Sequence, residues 1–188
     1  MPQKVLLITA DQWRGDALGC VGHPAARTPN LDQLARDGVL FGRHYTNAAP
    51  CGPARTTLLT GLYPFNHRSV RNGTPLDRRH RNVALEVRKA GLEPVLFGYT
   101  DSSADPRAVP SGDPRLRTYE GFLPGFQIGA VLNETCLEEW LTELAKRGYE
   151  VPQKHFDIYA HAGAPAEMER FSRAPAQYQA GDSDSAFI

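Results

Sequence analysis

The distribution of apolar positions divides the chain into short, alternating elements. Residues 4–9, Lys-Val-Leu-Leu-Ile-Thr, form an unbroken and partly β-branched apolar run. That is the pattern of a strand buried on both faces of a parallel sheet. The run ends at Asp11 and Gln12, just past the strand's C-terminal edge, where open α/β sheets bind ligands. From 28 to 38 the period becomes helical, with Thr28 as cap, Pro29 at the first position, Leu31, Leu34 and Ala35 on one face, and Gly38 as the stop. Val-Leu-Phe at 39–41 predicts a second strand. A helix over 52–60 follows, with Pro53 in its first turn, Leu58 and Leu59 inward, and Gly61 ending it. A third helix over 81–91 aligns Val83, Val87 and Ala90. A third strand over 93–101 delivers Tyr99, Thr100 and Asp101 to its C-terminal end.

Between about 105 and 133 proline and glycine are dense and periodicity fades, which predicts an irregular insertion. Residues 134–148 then read as an amphipathic helix, with Leu137, Trp140, Leu141 and Leu144 sharing a face and Gly148 closing it. The alternation of strands and helices predicts an α/β fold with a mainly parallel sheet flanked by helices, built as one domain over 1–188. The final stretch, Ala-Gly-Asp-Ser-Asp-Ser-Ala-Phe-Ile, reads as caps at Asp182 and Asp184 opening a helix that the sequence does not complete. The expectation is a truncated, N-terminal part of a longer catalytic domain.

Composition narrows the partners. The chain has 188 residues and no formal net charge, which gives no support for nucleic acid or an anionic membrane as partner. No apolar run reaches bilayer length, and the N-terminus lacks the pattern of a signal peptide. A cytoplasmic protein is expected. The three cysteines, Cys20, Cys51 and Cys136, are too sparse for a disulfide framework or a structural zinc site. Cys20 and Cys136 read as small buried hydrophobes.

Cys51 stands apart, because it opens the helix in "CGPARTTLLTG". Three readings compete: a packing thiol, a thiolate nucleophile, and a cysteine converted into another group. A helix start leaves unpaired N–H groups and a positive dipole end, which stabilise an anion. Arg55, one turn on, can reach back toward position 51. The phosphatase spacing of a cysteine and an arginine six positions later fails at Thr57, and no Gly-Lys-Ser/Thr run exists for a nucleotide loop. A Cys–His pair with His44 or His67 stays open.

The motif Cys51-x-Pro53-x-Arg55 resembles the signature of the sulfatase family, within the alkaline-phosphatase-like superfamily. Residues 6–50, 58–76 and 88–101 resemble that family's N-terminal blocks in order and spacing. The resemblance implies that a maturation enzyme oxidises Cys51 to formylglycine. Hydrated, that aldehyde is a geminal diol: one hydroxyl attacks sulfur or phosphorus, and the other expels the sulfate or phosphate group by collapse to the aldehyde. It also implies one divalent metal ion (Mn, Ca or Mg), with Asp11, Gln12 and the oxygen at position 51 as ligands. Gln12 stands where many relatives carry aspartate, and Tyr99 follows Gly98 where a lysine is common. These departures resemble the phosphonate monoester hydrolase and arylsulfatase-like branch. They leave Asn72 and Tyr99 as substrate contacts by hydrogen bonding. Less local charge suits a monoanionic phosphodiester or phosphonate monoester.

The implied function is metal-dependent hydrolysis of sulfate, phosphodiester or phosphonate monoesters, with Cys51 and Arg55 as catalytic residues. The alternative is an inactive relative that binds an anion. The family's distal Asp-His or Asp-Asn pair is not found, so this chain alone is expected to turn over little. Implied partners are a small ester substrate and the maturation enzyme, with a homo-oligomer possible for the full-length enzyme.

Overall fold

A computed structural model describes residues 4–118, 120–133, 136–154 and 157–158. The chain forms two compact units, Met1–Asn47 and Ala48–Ile188. In the first unit a 3-10 turn, Gly19–Val21, precedes helix α1, Pro29–Asp37. Pro29 starts the helix as its fixed φ allows. Thr28 occupies the cap position, but its hydroxyl does not cap α1. It accepts from Gly19 N–H at 2.9 Å and donates to Asp32 Oδ1 at 2.8 Å. Asp32 Oδ1 also accepts from Cys20 N–H at 2.8 Å, so both side chains tie the 3-10 turn to the helix. Cys20 is exposed on that turn, not buried as its apolar neighbours suggest.

The runs at 4–9 and 39–41 carry a strand pattern but are not strands here. Val5, Leu6 and Ile8 are exposed, as are Val39 and Phe41. An apolar strand of a parallel sheet needs neighbours on both sides and layers on both faces, and among the described residues none pairs with these runs.

The second unit holds α2 (Cys51–Thr60), α3 (Pro64–His67), α4 (Val83–Lys89), β1 (Val95–Phe97), β2 (Gln127–Ala130) and α5 (Glu138–Lys146). The described sheet is one parallel pair, with Val95 opposite Gln127 and Leu96 opposite Ile128. The register slips after Leu96, so Phe97 faces Ala130. Gly129 absorbs the slip: a Cβ there would lie 2.8 Å from the Phe97 ring. β2 sits inside the span that the sequence reads as irregular. Four residues without alternation carry no strand signal of their own, and the pairing with β1 supplies it.

Helix α2 buries Gly52, Pro53 and Thr56, while Leu58 is exposed, so the side that packs carries its small residues rather than its leucines. In α4 the buried residue is Ala84, and Val83 is exposed. Asn82 Oδ1 caps that helix by accepting from Leu85 N–H. The main apolar cluster lies on α5, where Leu137, Trp140, Leu141 and Leu144 meet Ile158. This is the face the sequence predicts; its first two residues, 134 and 135, and the capping stretch with Asp182 and Asp184 lie outside the described residues. Cys136 is half-buried, and burial with nearby Glu138 pushes its thiol up to about 11, as a packing cysteine should be. No helix among the described residues is long and apolar enough to cross a membrane.

Leu144→Ala empties a fully packed position and is expected to lower unfolding free energy by about 2–5 kcal/mol. Leu58→Ala should change it by less than about 0.5 kcal/mol. Urea melts followed by circular dichroism compare the two.

Candidate active site

Cys51 is the first residue of α2, after Pro50 at the cap. The turn 71–74 reaches it. Thr74 closes that turn on Arg71 by N–H (3.2 Å) and hydroxyl (2.6 Å) donation, and Gly73 takes the left-handed φ of 69° that the turn requires. Asn72 is thereby presented to the start of α2. Its Oδ1 accepts from Gly52 N–H at 2.9 Å, and its Nδ2 donates to Cys51 Sγ at 3.0 Å.

Gly52 is required here by closeness rather than by φ. A Cβ would stand 2.8 Å from Asn72 Cα and 3.2 Å from the Asp101 carbonyl oxygen. The helix start, the 71–74 turn and the segment after β1 thus converge on one glycine. Pro53 has no N–H, and Gly52 N–H is taken by Asn72. The helix mouth therefore offers an anion fewer amides than a generic helix start would.

Arg55 lies one turn along α2. Its guanidinium carbon sits 4.6 Å from the centroid of the Tyr99 ring, and Nη1 donates to the Tyr99 carbonyl at 3.4 Å. A cation over an aromatic face is attracted by the ring quadrupole, so Tyr99 holds Arg55 in place. Asp101 is buried with φ 54°. Thr100 anchors the same strand end: its hydroxyl donates to the Gly121 carbonyl and accepts from Leu123 N–H, both at 2.9 Å. The apolar run places Thr100 and Asp101 near a strand end, but their partners, like the close approach at Gly52, lie far along the chain and leave no periodic signal.

His67 does not serve as a base for Cys51. Nδ1 accepts from Ser69 N–H at 3.0 Å, so the neutral ring carries its proton on Nε2 and donates to Thr57 Oγ1 at 2.9 Å. Burial, with a smaller contribution from the charge of His80, holds the imidazole below its ordinary value. His67 is therefore a neutral brace between α2 and the turn that follows α3. His44 belongs to the first unit.

Structure thus brings Cys51, Arg55, Asn72 and Tyr99 together. Asp11 and Gln12 lie in the first unit on an exposed turn, with Gln12 at φ 54°. Their oxygens suit a hard divalent cation, but two residues are only part of a shell of roughly six to eight oxygens. Among the described residues no group of three or more His, Cys, Asp or Glu is placed to hold a metal.

Two tests follow from this geometry. Gly52→Ala forces the Asn72 backbone away and is expected to cost about 1–3 kcal/mol in a chemical melt. As pH falls below about 6.5 the unfolded chain takes up a proton at His67 before the folded chain does. The stability that neutral His67 contributes at pH 7 is then lost. His67→Gln should flatten the slope of stability against pH below that point.

The chain matches the Sulfatase family model over residues 3–185. It is 40% identical over 195 residues to a multifunctional alkaline phosphatase superfamily protein, PehA, of Trinickia caryophylli, covering 99% of this chain and 37% of that protein. It is 42% identical over 84 residues to human arylsulfatase A, covering 40% of this chain and 17% of that protein. Its structure resembles the crystal structure of the phosphonate monoester hydrolase of Agrobacterium radiobacter, with TM-score 0.86, 48% identity, and coverage of 95% of this chain and 35% of that one. The chain thus spans about a third of the length of PehA and of the hydrolase. The expected α/β, alkaline-phosphatase-like fold holds, and the chain belongs to the sulfatase family.

Proposed function

We propose that this chain carries the nucleophile end of an ester hydrolase acting on sulfate or phosphonate monoesters and phosphodiesters. The supporting observation is the geometry at position 51. A residue at a helix start is gripped by the Asn72 amide, with the Arg55 guanidinium one turn away on Tyr99. Family membership and the Cys51-Pro53-Arg55 motif support conversion of Cys51 to formylglycine by a maturation enzyme, whose oxidant takes two electrons as oxygen replaces sulfur. That group, hydrated, supplies a nucleophilic oxygen, and its second hydroxyl gives a route for expelling the bound sulfate or phosphonate as the aldehyde re-forms.

The chain's own residues do the positioning. Asn72 Nδ2 donates to the atom at position 51 and fixes its direction. Arg55, always charged, stabilises negative charge on the substrate's oxygens. Tyr99 limits where that guanidinium moves. Asp11 and Gln12 would supply part of the shell of one divalent ion (Mn, Ca or Mg), which lowers the pKa of a bound hydroxyl. With a neutral glutamine at 12 and tyrosine at 99, the preferred substrate is a monoanionic phosphonate monoester or phosphodiester. The proposed setting is the cytoplasm.

Co-expression with a formylglycine-generating enzyme, followed by mass analysis of the peptide containing position 51, tests this. Loss of sulfur and gain of oxygen is expected, and Cys51→Ala must not show it. An intact, alkylatable thiol overturns the reading. With the modified protein and added divalent ion, aryl phosphonate hydrolysis by this chain is expected to be slow, and Cys51→Ala should abolish what there is. Modification without any hydrolysis would favour a chain that binds an oxyanion but does not turn it over.

A further inference from the structure

Residues 102–107 bind the turn that carries Asn72 at two points and the chain just after it at a third. Ser103 Oγ donates to the Gly73 carbonyl at 2.9 Å, and Ser102 Oγ to the Thr74 carbonyl at 3.4 Å. Asp105 Oδ2 accepts from Arg78 N–H at 2.9 Å. Asp105 is itself clamped by Arg107: Oδ1 accepts from its N–H at 2.9 Å and from Nε at 3.0 Å, and Oδ2 accepts from Nη2 at 2.8 Å. Nη2 also lies 2.8 Å from Asp77 Oδ2. Behind the strap, Gly121 packs so closely on Ser102 that a Cβ would stand 2.4 Å from the Ser102 carbonyl oxygen.

We propose that 102–107 is a positioning strap for the nucleophile: Asp105 and Ser103 hold the 72–78 loop so that the Asn72 amide stays on position 51. This rests on the proposed function in giving position 51 its chemical role; the contacts do not depend on it.

The weight falls unevenly along the strap. The Asp105 side chain is 4% exposed and accepts four hydrogen bonds, two from backbone N–H groups. Asp105 is a buried charged acceptor, and replacing it leaves its N–H donors without that acceptor, which costs more than losing a neutral one. Arg107 is 63% exposed and Asp77 28%, and both line an open cleft of about 410 Å³ with His67, Arg68 and Arg79, where Asp105 also contributes to the wall. Water and salt reach that pair, so it contributes little. Asp105 is the anchor, and Asp77 is a lesser support.

The test uses the unmodified chain and needs no turnover. Alkylation by iodoacetamide is followed at each cysteine by peptide mass analysis, at a pH where thiols are ionised, with exposed Cys20 as the internal reference. Asn72 Nδ2 shields Cys51 Sγ and draws on its lone pair. Asn72→Ala is therefore expected to speed Cys51 relative to Cys20 by about threefold or more. Asp105→Asn places an amide against donor N–H groups and should do the same, whereas Asp77→Asn should change the ratio by less than about 1.5-fold. The Asp105→Asn effect must vanish in an Asn72→Ala background, since the strap acts through that amide.

Ser103→Ala removes a single hydrogen bond and gives a milder change in the same direction, which keeps the test decisive if Asp105→Asn fails to fold. An unchanged ratio in folded Asp105→Asn and Ser103→Ala, or an effect that persists without Asn72, overturns the strap. Failure of Cys51 to be converted would overturn the proposed function instead.

Discussion

The site depends on a single side-chain amide that holds a helix start by two atoms. Asn72 satisfies a backbone donor of α2 with its oxygen and engages the residue beside that donor with its nitrogen. A helix begins with N–H groups that have no partner within the helix. Capping side chains usually come from the residue just before it. Here the partner comes from twenty residues downstream, so helix start and distant turn are fixed relative to each other. The nucleophile candidate sits on the shared point.

Rigidity around that point is built mainly from polar contacts. The apolar cluster of the second unit lies under α5, while the residues packed near the site are glycine, threonine, serine, asparagine and aspartate. Hydrogen bonds are directional where apolar contacts are not, and buried polar groups are costly when unmade. Thr100, Ser103 and Asp105 each bind backbone groups of a separate segment. The neutral His67 braces α2 from its other side. Such a scaffold specifies position more than it adds stability.

This division explains what the sequence reveals and what it hides. Helices α1, α2, α4 and α5 announce themselves by caps, glycine stops and periodicity, and β1 by its apolar run. The motif at 51–55 marks the nucleophile candidate directly, and Asn72 and Tyr99 are singled out beside departures at motif positions. What is hidden is non-local. Leu58 looks inward by composition yet is exposed, because α2 packs through the small residues Gly52 and Thr56. The run at 4–9 has the composition of a strand, but pairing is a property of neighbours. Asp105 reads as one polar residue in a stretch rich in proline and glycine, and only the fold shows four donors converging on it.

The Asn72 amide also has a handedness. Its oxygen is committed to a backbone donor, so turning the group over would set NH2 against N–H. The face shown to position 51 is therefore always a donor face. A thiol sulfur accepts from it, and so does an aldehyde or hydroxyl oxygen. The same donor face therefore fits a sulfur or an oxygen at position 51 without rewiring of the protein around it.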